Sequence, residues 1–309
     1  MRLLLYPIRR AISTVLHKAI LDLDRLDAHL ASHERKLCNL TAIVLRDRYP
    51  ALIAPDARPY KDEVNQYGFK CYSQNNEDGI LLYIFSQIGT SDRRFVEFGV
   101  QDGQQCNAAT LALNFGWSGL FMDGDGEGVA AGRRYYADLL GLQARRVRFV
   151  QCFATAENIN QVLRDNGVLG EIDLLSIDVD GNDYWIWQAI SAVHPRVVAI
   201  EYNASFGSER SVTIPYKPDF VATQHHPSGF YHGASLVALT NLAHLKGYTL
   251  IGCDNNGVNA FFVRRDMANG KLREVAAQDA YFPHARRQMR GYNSQAQFDL
   301  IKHLPLVEV

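Results

Sequence analysis

Phe95-Val-Glu-Phe-Gly-Val-Gln-Asp-Gly103 is an apolar strand running into a turn that holds two glycines. Glycine there lets the backbone take a positive φ and approach a ligand closely. In an open α/β sheet the ligand crevice lies off the carboxyl ends of the strands. The turn is not GxGxxG, and the chain contains no GxxxxGK[ST]. The pyrophosphate cradle of a dinucleotide oxidoreductase and the phosphate loop of common NTPases are therefore missing. Glu97 and Asp102 flank the glycines instead. Acids repel phosphate and suit a cationic or amine-bearing ligand, such as the methionine moiety and sulfonium of S-adenosylmethionine.

Working outward, short β-rich runs alternate with helical stretches from about residue 70 onward. Strands are predicted at 95–98, 119–123, 147–153, 174–178, 197–201, 249–253 and 260–263. Helices are predicted near 77–88, 105–115, 127–140, 157–166, 184–192 and 234–246. Gly89, Gly116, Gly167 and Gly247 stand where helix C-terminal caps are expected. Strand–helix alternation implies a parallel sheet covered on both faces. Only Asp254 to Asn259 joins the last two strands, too short for a crossover helix and suited to a hairpin. The expected fold is α/β, a seven-stranded, mostly parallel sheet ending in one antiparallel hairpin.

The next strands carry matching chemistry. Asp123 ends the second strand 20 positions after Gly103, where an acid accepts hydrogen bonds from ribose hydroxyls. Asp125 stands close enough to share that role. Phe153 and Ala154, at the end of the third strand, offer a surface for an adenine ring.

FVEFGVQDG, GWSGLFMDGD, FVQCFATAENIN, DLLSIDVDGNDYWIW and VVAIEYN, in this order, resemble FkbM-type methyltransferases of the class I, Rossmann-like fold. The resemblance covers about residues 70–265. It implies S-adenosylmethionine as cofactor, with Glu97, Gly99 and Gly103 holding the methionine part and Asp123 the ribose. It also implies O-methyl transfer to a sugar, polysaccharide or glycosylated natural product. The chain departs from the commoner family pattern at Asp123-Gly124 and Asp180-Gly181-Asn182, which bears on the acceptor more than on the cofactor.

Asp178 and Asp180 follow the fourth strand; Glu201 and Asn203 follow the fifth. Neighbouring parallel strands lie about 4.8 Å apart, so Asp178 and Glu201 are expected to meet at the carboxyl edge. Clustered carboxylates repel unless a proton or a cation sits among them. One solution is a hard divalent ion such as Mg²⁺, and Asp178, Glu201 and Asn203 resemble the ligand layout of metal-dependent catechol-type O-methyltransferases. The other is metal-free general-base catalysis by Asp178, Asp180 or His232. Asp183 reads as a helix cap, and Trp185 and Trp187 as packing. The irregular segment 205–232 is expected to form a substrate lid. His284, Arg286, Arg287 and Arg290 read as a solvated face.

The flanking sequence is of another kind. Leu16, Leu23, Leu30, Leu37 and Val44 recur every seven residues, with Ile12, Ala19, Leu26, His33 and Leu40 as the companion seam. This predicts one long helix over about 10–48, followed by a linker at Pro50, Pro55 and Pro59. The expected organisation is an N-terminal helical, coiled-coil arm over 1–60 and a methyltransferase domain over 61–309. The arm would make a homo-oligomer, pack as a helix on its own domain, or lay Leu3–Tyr6, Arg9 and Arg10 on a membrane surface. A net charge of −1 disfavours nucleic acid as the main partner. Five scattered cysteines without a CxxC pair suit a reducing compartment. The expected location is thus the cytoplasm, including the inner membrane face. A non-catalytic scaffold of the same fold, assembled through the arm, is the competing reading.

Overall fold

The computed structural model describes residues 63–268 and 270–309. The predicted N-terminal arm, its linker and the domain boundary lie outside them. Nine strands run in chain order: β1 (Arg94–Phe98), β2 (Ser118–Asp123), β3 (Val147–Gln151), β4 (Gly170–Ile177), β5 (Val193–Glu201), β6 (Val212–Thr213), β7 (Tyr248–Cys253), β8 (Asn259–Arg264) and β9 (Val307–Glu308). Seven of them form one sheet in the order β3-β2-β1-β4-β5-β8-β7. β1 to β5 are mutually parallel, whereas β8 runs antiparallel to both β5 and β7. The predicted sheet and its closing hairpin are both present.

Alternation along the strands builds two cores. Val96 and Phe98 of β1, Leu120 and Met122 of β2, and Val198 and Ile200 of β5 face one side. Phe95, Phe121, Val197 and Ala199 face the other. Side chains of a strand point alternately to its two faces, so apolar residues at every position require cover on both. Helices α1 (Glu77–Ile88), α2 (Ala109–Phe115) and α3 (Gly126–Leu140) cover one side through Ile80, Ile84, Leu111 and Tyr136. Helices α4 (Ile159–Asp165), α5 (Asp183–Ala189) and α6 (Leu236–Leu245) cover the other through Leu163, Trp187, Leu239 and Leu242. Each such side chain contributes about 1.5–3 kcal/mol by leaving water. Trp187 packs on Tyr248 and Phe262, and the Trp185 indole N–H donates to the Ile214 carbonyl, so both are packing residues as expected.

Segment 205–232 differs from the expected lid. Phe206, Ile214, Phe220 and Tyr231 build a third small core with Ile301 of helix α7 (Ser294–Ile301). β6 pairs with β9, and the Tyr231 hydroxyl donates to the Pro305 carbonyl at 2.6 Å. Apolar residues that read as a mobile cover are spent on this core, and the segment is a packed wall. Among the described residues no helix is long and apolar enough to cross a membrane, and the four described cysteines are free thiols.

Candidate active site

The carboxyl ends of β1, β2, β4 and β5 open into a cavity of 560 Å³. Gly99, Asp123, Asp178, Asp180 and Glu201 line it from the strand ends. Phe153 and Ala154, from the loop after β3, line the side where an adenine ring was expected, and Phe153 is half exposed.

The first turn is tightly specified. Gly99 has φ +73°, and a Cβ there would stand 1.5 Å from the Asp178 carbonyl oxygen. Gln101 is also left-handed, at φ 50°. Its N–H donates to Asp123 Oδ2 at 2.7 Å, while Asp125 N–H donates to Asp123 Oδ1 at 2.8 Å. Asp123 thus ties the β1 turn to the β2 end and still lines the cavity. Each carboxylate oxygen has a second lone pair for a hydroxyl donor.

Three expected cofactor contacts, Glu97, Asp102 and Gly103, take other roles. Glu97 is buried under the turn and does not line the cavity. Its oxygens accept the backbone N–H groups of Asn107 and Ala108, both at 2.8 Å, and the Ser176 hydroxyl at 3.2 Å. Burial pushes its carboxyl up to about 7 against the pull of those hydrogen bonds. Asp102 accepts from the backbone and side chain of Gln104. Gly103 packs against Phe149, where a Cβ would come within 2.7 Å of a ring carbon. Asp125 lines the cavity and also caps α3, accepting from Glu127 and Gly128 N–H.

Ile177 and Ile200 are in register, so Asp178 and Glu201 follow side by side at the edge. Burial, then the charges of Glu201 and Asp180, push Asp178 well above the usual carboxylate range. Burial, then Asp180 and Asp183, push Glu201 up as well, but the Arg287 guanidinium opposes this. Asp183, the first residue of α5, accepts Val179 N–H at 2.8 Å and Gly181 N–H at 3.0 Å, so it ties down the preceding loop and is not the helix cap expected of it. It holds Asp180 in a left-handed conformation, φ 52°.

His232 is buried behind Glu201 and does not line the cavity, which corrects its expected place as a base in contact with substrate. Its Nδ1 stands 3.5 Å from Glu201 Oε2, and its Nε2 lies 3.1 Å from Arg287 Nη2. Burial, then Arg287, push the imidazole down to about 4, against Asp180 and Asp183, so it is neutral near pH 7.

The expected metal set of Asp178, Glu201 and Asn203 does not fit. Asn203 Nδ2 donates to the Phe230 and His232 carbonyls, and its Oδ1 accepts from Ser205 N–H and Arg287. The amide is consumed in joining β5 to the wall. Among the described residues, one other group has ligand atoms within 4.8 Å of one another: Asp180, Glu201 and His232. Arg287 can only donate, so His232 Nε2 accepts, and the neutral ring carries its proton on Nδ1. A protonated Nδ1 has no lone pair for a metal. Two carboxylates remain beside a guanidinium, a poor set for a divalent cation, and no catalytic step is routed through one.

His284, Arg286 and Arg287 line the cavity, contrary to their reading as a solvated face. Arg287 is held by Asn203, Ser205, Gln297 and His232, contacts 10 to 84 residues distant in sequence. No local pattern marks such a residue. Gln74, Asn75, Asn256 and Val258 also line the cavity and were missed. Their short polar runs read equally well as turns.

No protein-family model matches the chain, and no curated protein matches it. Among solved structures it is similar to the N-terminal domain of EvdMO1, determined in the presence of SAH and D-fucose. That match has 14% identity, 68% of this chain, 97% of that one and a TM-score of 0.39. It is also similar to magnesium protoporphyrin IX methyltransferase from Synechocystis PCC 6803 with bound SAM, at 10% identity, 74% and 94% coverage and a TM-score of 0.41. A third is precorrin-6y C5,15-methyltransferase from Geobacter metallireducens GS-15, at 13% identity, 63% and 92% coverage and a TM-score of 0.38. The parallel sheet closed by its β8–β7 hairpin is the class I methyltransferase, Rossmann-like fold.

Proposed function

We propose that the chain is an S-adenosylmethionine-dependent O-methyltransferase whose acceptor is a sugar or glycan hydroxyl. The observation that carries this is Asp123, a carboxylate held at the β2 end by Gln101 and Asp125 N–H groups while lining the cavity. The residues fit a positively charged sulfur nucleoside. Asp123 offers acceptor lone pairs to a ribose diol, and Gly99 leaves the turn free of a side chain. Phe153 and Ala154 provide an apolar surface, and Asp180 and Glu201 supply negative potential. A phosphate would be repelled by the same set.

When bound, the cofactor supplies an electrophilic methyl group on a sulfonium. The chain's own part is to hold acceptor and cofactor together and to take up the acceptor's proton. Holding two reactants in line removes much of the entropic barrier. Phe220 of the packed wall and Asn182, whose amide donates to the wall at Lys217, line the cavity, and such aromatic and polar surfaces suit sugars. The Mg²⁺-assisted version is set aside because the ligand set does not fit. The N-terminal arm retains its proposed role in homo-oligomer formation.

Calorimetry with S-adenosylmethionine and its demethylated product tests the cofactor half. Methyl transfer from labelled cofactor to a panel of sugar acceptors, with and without EDTA, tests the rest. Binding with transfer that survives EDTA is expected. No cofactor binding by the full chain would favour the non-catalytic scaffold.

A further inference from the structure

We propose that Glu201 accepts the acceptor's hydroxyl proton, and that Arg287 and His232 position it by fixing a proton on His232 Nδ1 that faces Glu201 Oε2. The inference rests on the methyltransferase reading and names the residue that carries its proton step.

Most acids at this edge are already committed. Glu97, Asp123 and Asp183 each have both carboxylate oxygens engaged by a backbone N–H group. Glu201 lines the cavity, yet its buried Oε2 accepts no hydrogen bond, and the buried His232 Nδ1 facing it is likewise without one. Buried polar atoms without partners are rare and costly. At 3.5 Å the two are too far apart to satisfy each other. A small closure of the 3.5 Å gap lets Nδ1–H donate to Oε2, which satisfies both atoms and fixes how the Glu201 carboxylate is presented to the cavity. A metal ion would satisfy Oε2 alone, because Arg287 leaves the ring's lone pair on Nε2 and its proton on Nδ1.

The neighbouring charges separate Glu201 from Asp178. Asp180 and Asp183 face both acids with negative charge, Glu97 adds to it at Asp178 and Asp254 at Glu201, where the Arg287 guanidinium opposes them. Two coupled acids in unlike surroundings divide the roles, one neutral and one ionised. Asp178 holds the shared proton, and Glu201 is the ionised base. In the transfer step the hydroxyl oxygen forms a bond to the methyl carbon. The carbon–sulfur bond breaks with its electron pair left on sulfur. The hydroxyl proton passes to Glu201, which returns it to solvent after product leaves.

Nuclear magnetic resonance on the ¹⁵N-histidine-labelled full chain, alone and with Mn²⁺ added, needs no acceptor. A proton on His232 Nδ1, with no selective broadening of His232 by Mn²⁺, is the result expected. A proton on Nε2, or broadening, overturns the proposal in favour of a cation site. Activity supplies the second arm, with labelled cofactor and whichever sugar turns over in the panel. E201Q is expected to lower kcat by about 100-fold or more at saturating cofactor, the range of general-base catalysis. H232L is expected to move the acidic limb of the kcat profile to higher pH, and H232N, which keeps a donor near the Nδ1 position, to restore it. Unchanged kcat in E201Q overturns the proposal while leaving the methyltransferase reading intact. Failure of the wild-type chain to bind cofactor overturns both.

Discussion

Gly99 packs against Asp178 so closely that a side chain on the first would collide with the backbone of the second, 1.5 Å from its carbonyl oxygen. The turn that shapes the β1 end of the cavity and the strand end that carries Asp178 are therefore one unit. Gly99→Ala must push β1 and β4 apart at their carboxyl ends and also place alanine at φ +73°. A loss of about 2–4 kcal/mol is expected from strain at such a site. Urea unfolding reads this, and calorimetry is expected to show cofactor binding lost even where the variant remains folded. A variant as stable as wild type, with normal binding, would mean that the turn is not built around this contact.

Glu97 and Asp123 are both acids beside the same turn, yet substitution should separate them. Glu97→Gln places an amide donor against one of two backbone N–H groups, so stability is expected to fall by about 1–3 kcal/mol, the cost of a buried unsatisfied group. Cofactor affinity should fall only as far as the turn loosens. Asp123→Ala instead removes acceptors facing the cavity. Hydrogen bonds to a charged group are worth about 1.5–3 kcal/mol, which is roughly 10- to 100-fold in affinity. Thermal melting and calorimetry on both variants check the contrast, which disappears if Glu97 also touches the ligand.

These two acids also show how much the sequence disclosed. Gly99 and Asp123 were legible because a glycine at a strand–turn junction and an acid closing the next strand are local features. The hairpin was legible because six residues, 254–259, cannot hold a helix. Glu97 was misread because an acid beside a glycine turn looks the same whether its oxygens face a ligand or a loop. Its partners, Asn107 and Ala108, arrive only when the chain folds back toward α2. Arg287 was invisible for a stronger reason. Its contacts with Asn203, Ser205 and His232 span 55 to 84 residues, and a basic run carries no sign of which guanidinium will be buried.

The neutrality of His232 fixes a sign for pH dependence. Its folded value of about 4 lies below the ordinary 6.5. As pH falls from 6.5 toward 4 the unfolded chain takes up a proton that the folded chain refuses, so this residue's contribution to stability is lost across that window and changes no further below it. The shift corresponds to about 3 kcal/mol. Glu201 and Asp178, held above their ordinary range, act in the opposite sense. The histidine is therefore best isolated by comparing wild type with H232N. The stability gap between them is expected to move in the variant's favour as pH drops from 6.5 to 4. A His232 ring that titrates near 6.5 by nuclear magnetic resonance would contradict the burial that sets this value.

Asp180 and Asp183 divide strain from support in the loop after β4. Asp180 occupies the left-handed region, φ 52°, which costs a non-glycine residue on the order of 1 kcal/mol. Asp183 holds that conformation through two hydrogen bonds to Val179 and Gly181 N–H. Asp180→Gly should therefore leave the melting temperature unchanged or slightly raised, because glycine takes the same φ without penalty. Methyl transfer should nevertheless fall if the Asp180 charge contributes negative potential to the cavity. Asp183→Ala should do the reverse to stability, lowering it by about 2–4 kcal/mol as two buried N–H groups lose their acceptor. The double variant tests the coupling: once glycine relieves the strained position, the Asp183→Ala loss should shrink toward the cost of the hydrogen bonds alone. Strict additivity would show that the carboxylate supports nothing at Asp180, and that the left-handed turn is held by the wall, where Asn182 Nδ2 donates to the Lys217 carbonyl at 2.8 Å.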